Sequence, residues 1–182
     1  MLPEPWSDDT RKRFFDTFSD LSLNGRDDEL VEALKPLEPR LKRILLNTKG
    51  MWPALFANLG SGRAQMLNML GDGMTRLVGY LLSIEAQRGG VVLIDEVENG
   101  FHHEVMVDVW RAVLRWARVR NVQVIATTHS YECIRAAHEA FSEAPDDLRL
   151  IRLQRFKDGN VRPITFQVSQ LDASLSMNAE VR

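Results

Sequence analysis

The chain has 182 residues, 45% of them hydrophobic, which suits one domain with a substantial core. A formal net charge of −2 argues against a strongly basic nucleic-acid surface, and the single cysteine excludes an intramolecular disulfide and fits a reducing compartment. The sequence holds no apolar run of membrane-spanning length and no signal-peptide pattern at its N-terminus, so we expect a cytoplasmic protein.

The first third of the chain is predicted to be helical. Three phenylalanines predict an apolar side on a helix from Thr10 to Asp20. Leucines at helical spacing predict a helix from Asp27 to Ile44, which Pro36 and Pro39 divide into two short helices. Residues 47–62 contain several glycines and a proline, which predicts a loop or an irregular strand.

The remaining chain alternates helical and strand patterns. We expect helices at 74–87, 103–119 and 131–141, and buried strands at 91–95 and 122–128. Two further strands at 148–156 and 161–166 flank Lys157-Asp158-Gly159-Asn160, which predicts a hairpin. This order predicts an α/β fold with a mostly parallel sheet and a C-terminal β-hairpin, preceded by a helical lobe.

The most informative segment joins an apolar strand to two acids. Val91-Val92-Leu93-Ile94 is typical of a strand buried on both faces of a parallel sheet, and it runs directly into Asp95 and Glu96. Open α/β folds bind ligands at this carboxyl edge of the sheet. Asp95 could hold Mg²⁺, directly or through water, and Glu96 could orient or deprotonate an attacking water.

A motif that such chemistry requires is absent from the sequence. Nucleotide phosphates are cradled by G-x-x-x-x-G-K-[ST], and no glycine in this chain is followed by lysine. We therefore expect the catalytic half of an ATPase without its phosphate loop. A truncated gene, an expression fragment and one half of a split pair are all consistent with this pattern.

Three motifs follow one another at defined spacings. They are Leu70-Gly71-Asp72-Gly73-Met74 before an apolar helix, the segment LIDEVENGFHH over 93–103, and Ala126-Thr127-Thr128-His129-Ser130. This set resembles the ABC-type ATPase heads, especially the SMC/RecF-like branch and the stand-alone AAA-family ATPases related to the OLD nucleases. The resemblance is specific for about residues 66–135. It implies a partial P-loop NTPase sheet with ATP and Mg²⁺ as ligands.

The resemblance also implies catalytic roles. Asp95 would coordinate Mg²⁺ through water, Glu96 would be the general base, and His129 would sense the γ-phosphate. A solvated strand end and an ordinary loop histidine are the alternatives for these positions.

Further residues correspond to the surface between two heads. Gly71, Asp72 and Gly73 resemble the signature loop that faces the partner head's γ-phosphate, although Asp72 adds a negative charge there. Asn99 occupies the D-loop position at the dimer interface. An ordinary turn is the alternative at both places.

The implied organisation is a helical lobe or linker at 1–62, the ATPase catalytic half at 63–168 and a polar tail at 169–182. The implied function is ATP binding and hydrolysis by a homodimer of heads, with the isolated chain inactive. The alternative is a non-catalytic interaction or regulatory protein that docks on a full-length ATPase. The sequence shows neither a nuclease site nor a base-reading motif, so the resemblance leaves nucleic acid open as a partner without showing it.

Overall fold

Helices and short strands alternate along the chain in the computed structural model, which describes residues 8–50, 53–60 and 62–166. The α-helices are α1 (Asp8–Leu23), α2 (Asp27–Leu34), α3 (Asp72–Ala86), α4 (Met106–Arg120) and α5 (Tyr131–Ala140). The strands are β1 (Arg43–Asn47), β2 (Ala54–Asn58), β3 (Gln65–Met66), β4 (Val91–Ile94), β5 (Gln123–Ala126), β6 (Leu150–Arg155) and β7 (Val161–Phe166). The α/β fold class is therefore confirmed, while the predicted tail at 169–182 lies outside the described residues.

The prediction for residues 27–62 is partly wrong. Helix α2 ends at Leu34, and the chain from Arg43 to Asn47 is a strand that pairs antiparallel with β2, with Arg43 opposite Asn58. Burial alternates along β1, where Ile44 is buried between exposed neighbours. A period of two in Ile44-Leu45-Leu46 thus prevailed over the helical spacing of the leucines. The lobe that precedes the catalytic half therefore contains an antiparallel sheet as well as two helices.

Helix α3 is the centre of the hydrophobic core. Its buried positions include Leu77, Val78, Leu81, Leu82 and Ile84, none of which is more than 1% exposed. This helix packs against α1, α2, α4 and β4. Burial on nearly all sides explains why its sequence is so apolar. No helix in the described ranges is both long and apolar enough to cross a bilayer.

The parallel pair β4–β5 is covered on one face only, so the prediction that the first strand is buried on both faces is wrong. Val92 and Ile94 are buried, whereas Leu93 is 75% exposed and Val91 is 49% exposed. Leu93 lies beside Ile125 in the register, and Ile125 is 51% exposed. The described chain supplies helix α3 for the inner face and no covering element for the outer one.

The remaining strands form separate small sheets. Within the described residues β5 pairs with β4 alone, and β6 pairs antiparallel with β7, with Leu150 opposite Phe166. The predicted C-terminal hairpin is thereby confirmed. Because β6 remains with β7, the second edge of β5 has no strand beside it in the described chain.

An ionic cluster around the buried Arg120 joins α2, α3 and α4. The Arg120 side chain is 2% exposed and contacts Glu85 at 2.5 Å and Glu29 at 2.7 Å. Arg26 also binds Glu85, at 3.0 Å, and its hydrogen bond to Glu29 is the main cause that lowers the pKa of Glu29 to about 2. The Arg120 guanidinium carbon lies 3.8 Å from the centroid of the Trp116 ring, a cation–π contact. Charge pairing and stacking together compensate for burying this arginine.

Loss of the buried guanidinium should destabilise the fold strongly. We expect Arg120→Ala to lower the free energy of unfolding by about 1.5–3 kcal/mol, because Glu85 loses one charged partner while Arg26 and Arg88 remain beside it. Urea unfolding followed by circular dichroism measures this change. Arg115→Ala, an exposed arginine on the same helix, is the control and should change stability by no more than about 0.5 kcal/mol. Equal effects of the two variants would contradict the assignment.

The uncovered face and edge of β4–β5 should cause the isolated chain to self-associate. Exposed apolar strands with free backbone groups recruit other chains. We expect Leu93→Lys to shift the chain towards monomer in size-exclusion chromatography with light scattering. The control is Leu23→Lys on α1, where an 82% exposed leucine lies on a helix rather than a strand. A wild-type monomer whose β5 amides are strongly protected from hydrogen exchange would contradict this expectation.

Candidate active site

The acid pair and the loop after β5 are joined by the hydroxyl of Thr127. This hydroxyl donates to Oδ1 of Asp95 at 2.5 Å and accepts the N–H of Glu96 at 2.8 Å. The Thr127 N–H donates to the carbonyl of Ile94 at 2.9 Å, and its carbonyl accepts the N–H of Val97 at 3.0 Å. Four hydrogen bonds thus place the predicted acids beside the segment that leads to His129.

Glu96 has an unusual backbone conformation. Its φ is 47°, in the left-handed region that residues other than glycine rarely adopt. The side chain is exposed, and the Asn99 amide donates to its Oε2. Non-glycine residues held in this region are concentrated at functional sites, where surrounding contacts maintain them. Here the bonds from Thr127 and Asn99 fix both the backbone and the carboxylate of Glu96.

His129 is connected through its backbone to the loop at residues 95–101, which follows β4 and is called the acid loop below. Its N–H donates to Oε1 of Glu98 at 2.9 Å, and the residue is exposed to solvent. Ser130 then begins helix α5, and its hydroxyl accepts the N–H of Cys133 at 3.1 Å as an N-cap. Asp95, Glu96, Asn99 and His129 therefore belong to one hydrogen-bonded pair of loops.

The signature-like loop begins helix α3. Gly71 has φ 110° and is the N-cap, and Asp72 is largely exposed at the first turn. A Cβ on Gly73 would lie 2.9 Å from the carbonyl oxygen of Gly100, so only glycine fits this contact. No hydrogen bond or ion pair among the described residues joins this loop to the acid pair. It contacts the Asn99-to-Phe101 turn instead.

The sequence analysis did not predict the hydrogen bonds by which Thr127 and Glu98 organise the site. Both lie within the segments that carry the resemblance, yet neither was expected to organise the site. Their hydrogen bonds depend on the register of β4 with β5 and on the turn at Glu96. The pairing of Ile94 with Ala126 is the signal that would have placed Thr127 next to Asp95.

An exposed group with metal-binding side chains follows the acid loop. His102, His103 and Glu104 have ligand atoms within 4.8 Å of one another, and it is the one such group of three in the described chain. The two imidazole rings stack with centroids 4.2 Å apart.

Asp95 has a different environment: Oδ1 is bound by Thr127, whereas Oδ2 has no hydrogen-bond partner among the described residues. A single carboxylate with a free oxygen suits Mg²⁺, which keeps most of its waters.

The left-handed backbone at Glu96 should be measurable in the stability of variants. We expect Glu96→Gly to be more stable than Glu96→Ala by about 1 kcal/mol, because both remove the carboxylate and only glycine tolerates this φ without strain. Urea unfolding of both variants gives the difference. Glu104 provides the control pair, since it lies in a 3₁₀ turn, where alanine should be the better residue. An alanine variant more stable than the glycine variant at position 96 would contradict the strain.

A curated protein is similar in sequence to much of this chain. An ATP/GTP phosphatase of Helicobacter pylori is 26% identical over 125 residues, which cover 67% of this chain and 33% of that protein. The chain thus spans about a third of the length of this curated relative.

The fold is similar to solved SMC heads. A chain from a study of ATP-driven dimerization and DNA-stimulated activation of SMC ATPases superposes with a TM-score of 0.58 at 13% identity, covering 94% of this chain and 99% of that one. The Smc head of Pyrococcus furiosus with an extended coiled coil, bound to the C-terminal domain of ScpA, gives 0.56 at 13% identity, covering 93% and 40%. An Smc head bound to the C-winged helix domain of ScpA also gives 0.56, at 12% identity, covering 81% and 44%.

A family model extends over most of the chain. The family described as "AAA domain, putative AbiEii toxin, Type IV TA system" matches residues 2–135, which include the acid pair and His129. The expected AAA-family relationship is confirmed by this match, and the expected likeness in fold to SMC heads is confirmed by the solved structures. The chain belongs to this AAA family, and its fold is that of the SMC ATPase heads.

Proposed function

We propose that this chain is the catalytic half of an ABC-type ATPase that hydrolyses ATP once a phosphate loop is supplied. The observation that carries the proposal is the bridge from the Thr127 hydroxyl to Asp95 and Glu96. It holds the Asp95 carboxylate and the Glu96 backbone at the carboxyl end of a parallel strand, where α/β folds bind nucleotides. The family and the SMC-head fold support the same chemistry.

Glu96 is the residue that would accept the proton. The Asn99 amide occupies its Oε2, so Oε1 remains to accept a hydrogen bond from the attacking water. As the water oxygen attacks the γ-phosphorus, its proton passes to Glu96 and the bond to the ADP oxygen breaks. Fixing the carboxylate before the substrate arrives avoids reorganisation in the transition state.

Asp95 would hold Mg²⁺ through water at its free Oδ2 oxygen. Mg²⁺ supplies positive charge to the phosphate oxygens when it is bound. Thr127 keeps the Asp95 carboxylate oriented by donating to its other oxygen. The exposed His129 would contact the γ-phosphate, since its backbone is attached to the acid loop through Glu98.

We further propose that two heads act together. Gly71, Asp72 and Gly73 lie at the exposed start of α3, where backbone N–H groups and the helix dipole favour a phosphate. They contact the Asn99–Phe101 turn rather than the acid pair of the same chain, which fits a surface directed at a partner's nucleotide. The studied SMC ATPases dimerise in an ATP-driven manner, and the present chain would pair in the same way.

The uncovered outer face of β4–β5 favours a second candidate function. Leu93 and Ile125 present apolar surface that a partner chain could cover. A non-catalytic protein that docks on a full-length ATPase would use this face and need no phosphate loop. The two functions differ in whether Glu96 affects hydrolysis in the complete assembly.

Hydrolysis should require both this chain and a phosphate loop. The DNA upstream of codon 1 is read for a frame with G-x-x-x-x-G-K-[ST], and its product is expressed with this chain. We expect the assembly to hydrolyse ATP and Glu96→Gln to lower kcat by about 10²–10⁴-fold, because the amide cannot accept the proton. Phosphate release under saturating ATP and Mg²⁺ measures this effect.

The isolated chain is the control for that experiment. Without backbone donors and a lysine for the phosphates, it should bind ATP–Mg²⁺ no more tightly than about 1 mM in calorimetry and show no turnover. Micromolar binding would reveal another phosphate site. Equal hydrolysis by the wild-type and Glu96→Gln assemblies would remove Glu96 from the mechanism and favour the docking function.

A further inference from the structure

Glu98 connects the acid loop with the backbone of His129, which lies 31 positions later in the sequence. Its Oε1 accepts the His129 N–H at 2.9 Å, and its carbonyl accepts the N–H of Phe101 at 3.1 Å. The residue therefore belongs to the turn that follows Glu96 and at the same time holds the backbone that carries His129. It is the one side-chain link between His129 and the acid loop in the described chain.

The second carboxylate oxygen of Glu98 is unpaired. Oε2 is buried and has no hydrogen-bond partner among the described residues. Burial is the main cause of the raised pKa values of Tyr80 and Cys133, and the nearby charge of Glu98 raises both further. An unpaired buried acceptor costs about 1–3 kcal/mol. The unpaired oxygen of Glu98 thus lowers the stability of the fold.

A carboxylate has one advantage over a neutral side chain at this position. Its hydrogen bond to the His129 N–H is charge-assisted, and such bonds are roughly twice as strong as neutral ones. The stability lost at Oε2 is therefore accompanied by a tighter hold on the backbone of His129. Restraint of that backbone matters only if the placement of the imidazole matters.

We propose that Glu98 is a positioning residue that fixes His129 relative to the acid pair by gripping its backbone N–H. This inference rests on the proposed ATPase function, because that function gives the placement of His129 a consequence. Glu98 does not touch the substrate. It keeps the γ-phosphate contact of His129 and the base Glu96 on one rigid unit, so that both reach the nucleotide together.

Hydrogen exchange of the His129 amide tests the grip in the chain itself, without nucleotide. We expect Glu98→Ala to accelerate exchange at His129 by about 10-fold or more, as loss of a hydrogen bond to a charged group should. Glu98→Gln keeps an acceptor oxygen and should fall between wild type and alanine. The control is Glu104→Ala, which removes an exposed carboxylate nearby and should leave the His129 amide unchanged.

Kinetics of the assembly with the phosphate loop test the consequence. Misplacement of a catalytic contact should lower kcat in Glu98→Ala by about 10²-fold with the KM for ATP unchanged, and Glu98→Gln should restore most of it. Unchanged exchange at His129 in Glu98→Ala, or faster exchange with unchanged kcat, would overturn the proposal. If the wild-type assembly does not hydrolyse ATP, the proposed function fails by itself, and the exchange result still decides whether Glu98 holds His129.

Discussion

The parallel register of β4 with β5 is the constraint on which the candidate site depends. Because Ile94 is paired with Ala126, the next residues along each strand, Asp95 and Thr127, emerge side by side. One hydroxyl then serves both acids, as acceptor for a backbone N–H and as donor to a carboxylate. A slip by one residue would turn Thr127 to the opposite face and separate the two loops.

Helix α3 relates this site to the rest of the molecule. Its first turn carries the signature-like glycines, and its last turn carries Glu85 of the ionic cluster around Arg120. With 15 residues it is about 22 Å long and rigid. The cluster fixes the far end of α3 to α2 and α4, while the apolar middle is enclosed by the core. The near end is thereby presented at the surface in a defined position.

The sequence predicted the elements with strong periodicity. Helices α3, α4 and α5, strands β4 and β5, and the β6–β7 hairpin occur close to where patterns of 3.6 or two residues place them. Residues 43–44 are predicted as the end of a helix but begin strand β1, because a short apolar run satisfies both periods. The exposure of Leu93 was also unexpected, since an apolar strand does not state how many of its faces are covered.

The site was predictable to the same degree. Asp95 and Glu96 end a strand as expected, because an apolar run followed by acids has few other structures. The bonds made by Thr127 and Glu98 were not predictable, since they require a register and a left-handed turn that leave no periodic trace. The functional assignments of Asp95, Glu96, His129, Asn99 and the signature-like loop remain predictions, as does the division of the chain at residues 62 and 63.

The close approach of Gly73 to Gly100 has a mechanical consequence. No side chain separates the two backbones, so there is no rotamer that could absorb a shift of one against the other. The turn at Gly100 that contacts the first turn of α3 adjoins Asn99, whose amide donates to the Glu96 carboxylate. One backbone contact and one hydrogen bond therefore connect the signature-like loop at 71–73 with the carboxylate of Glu96.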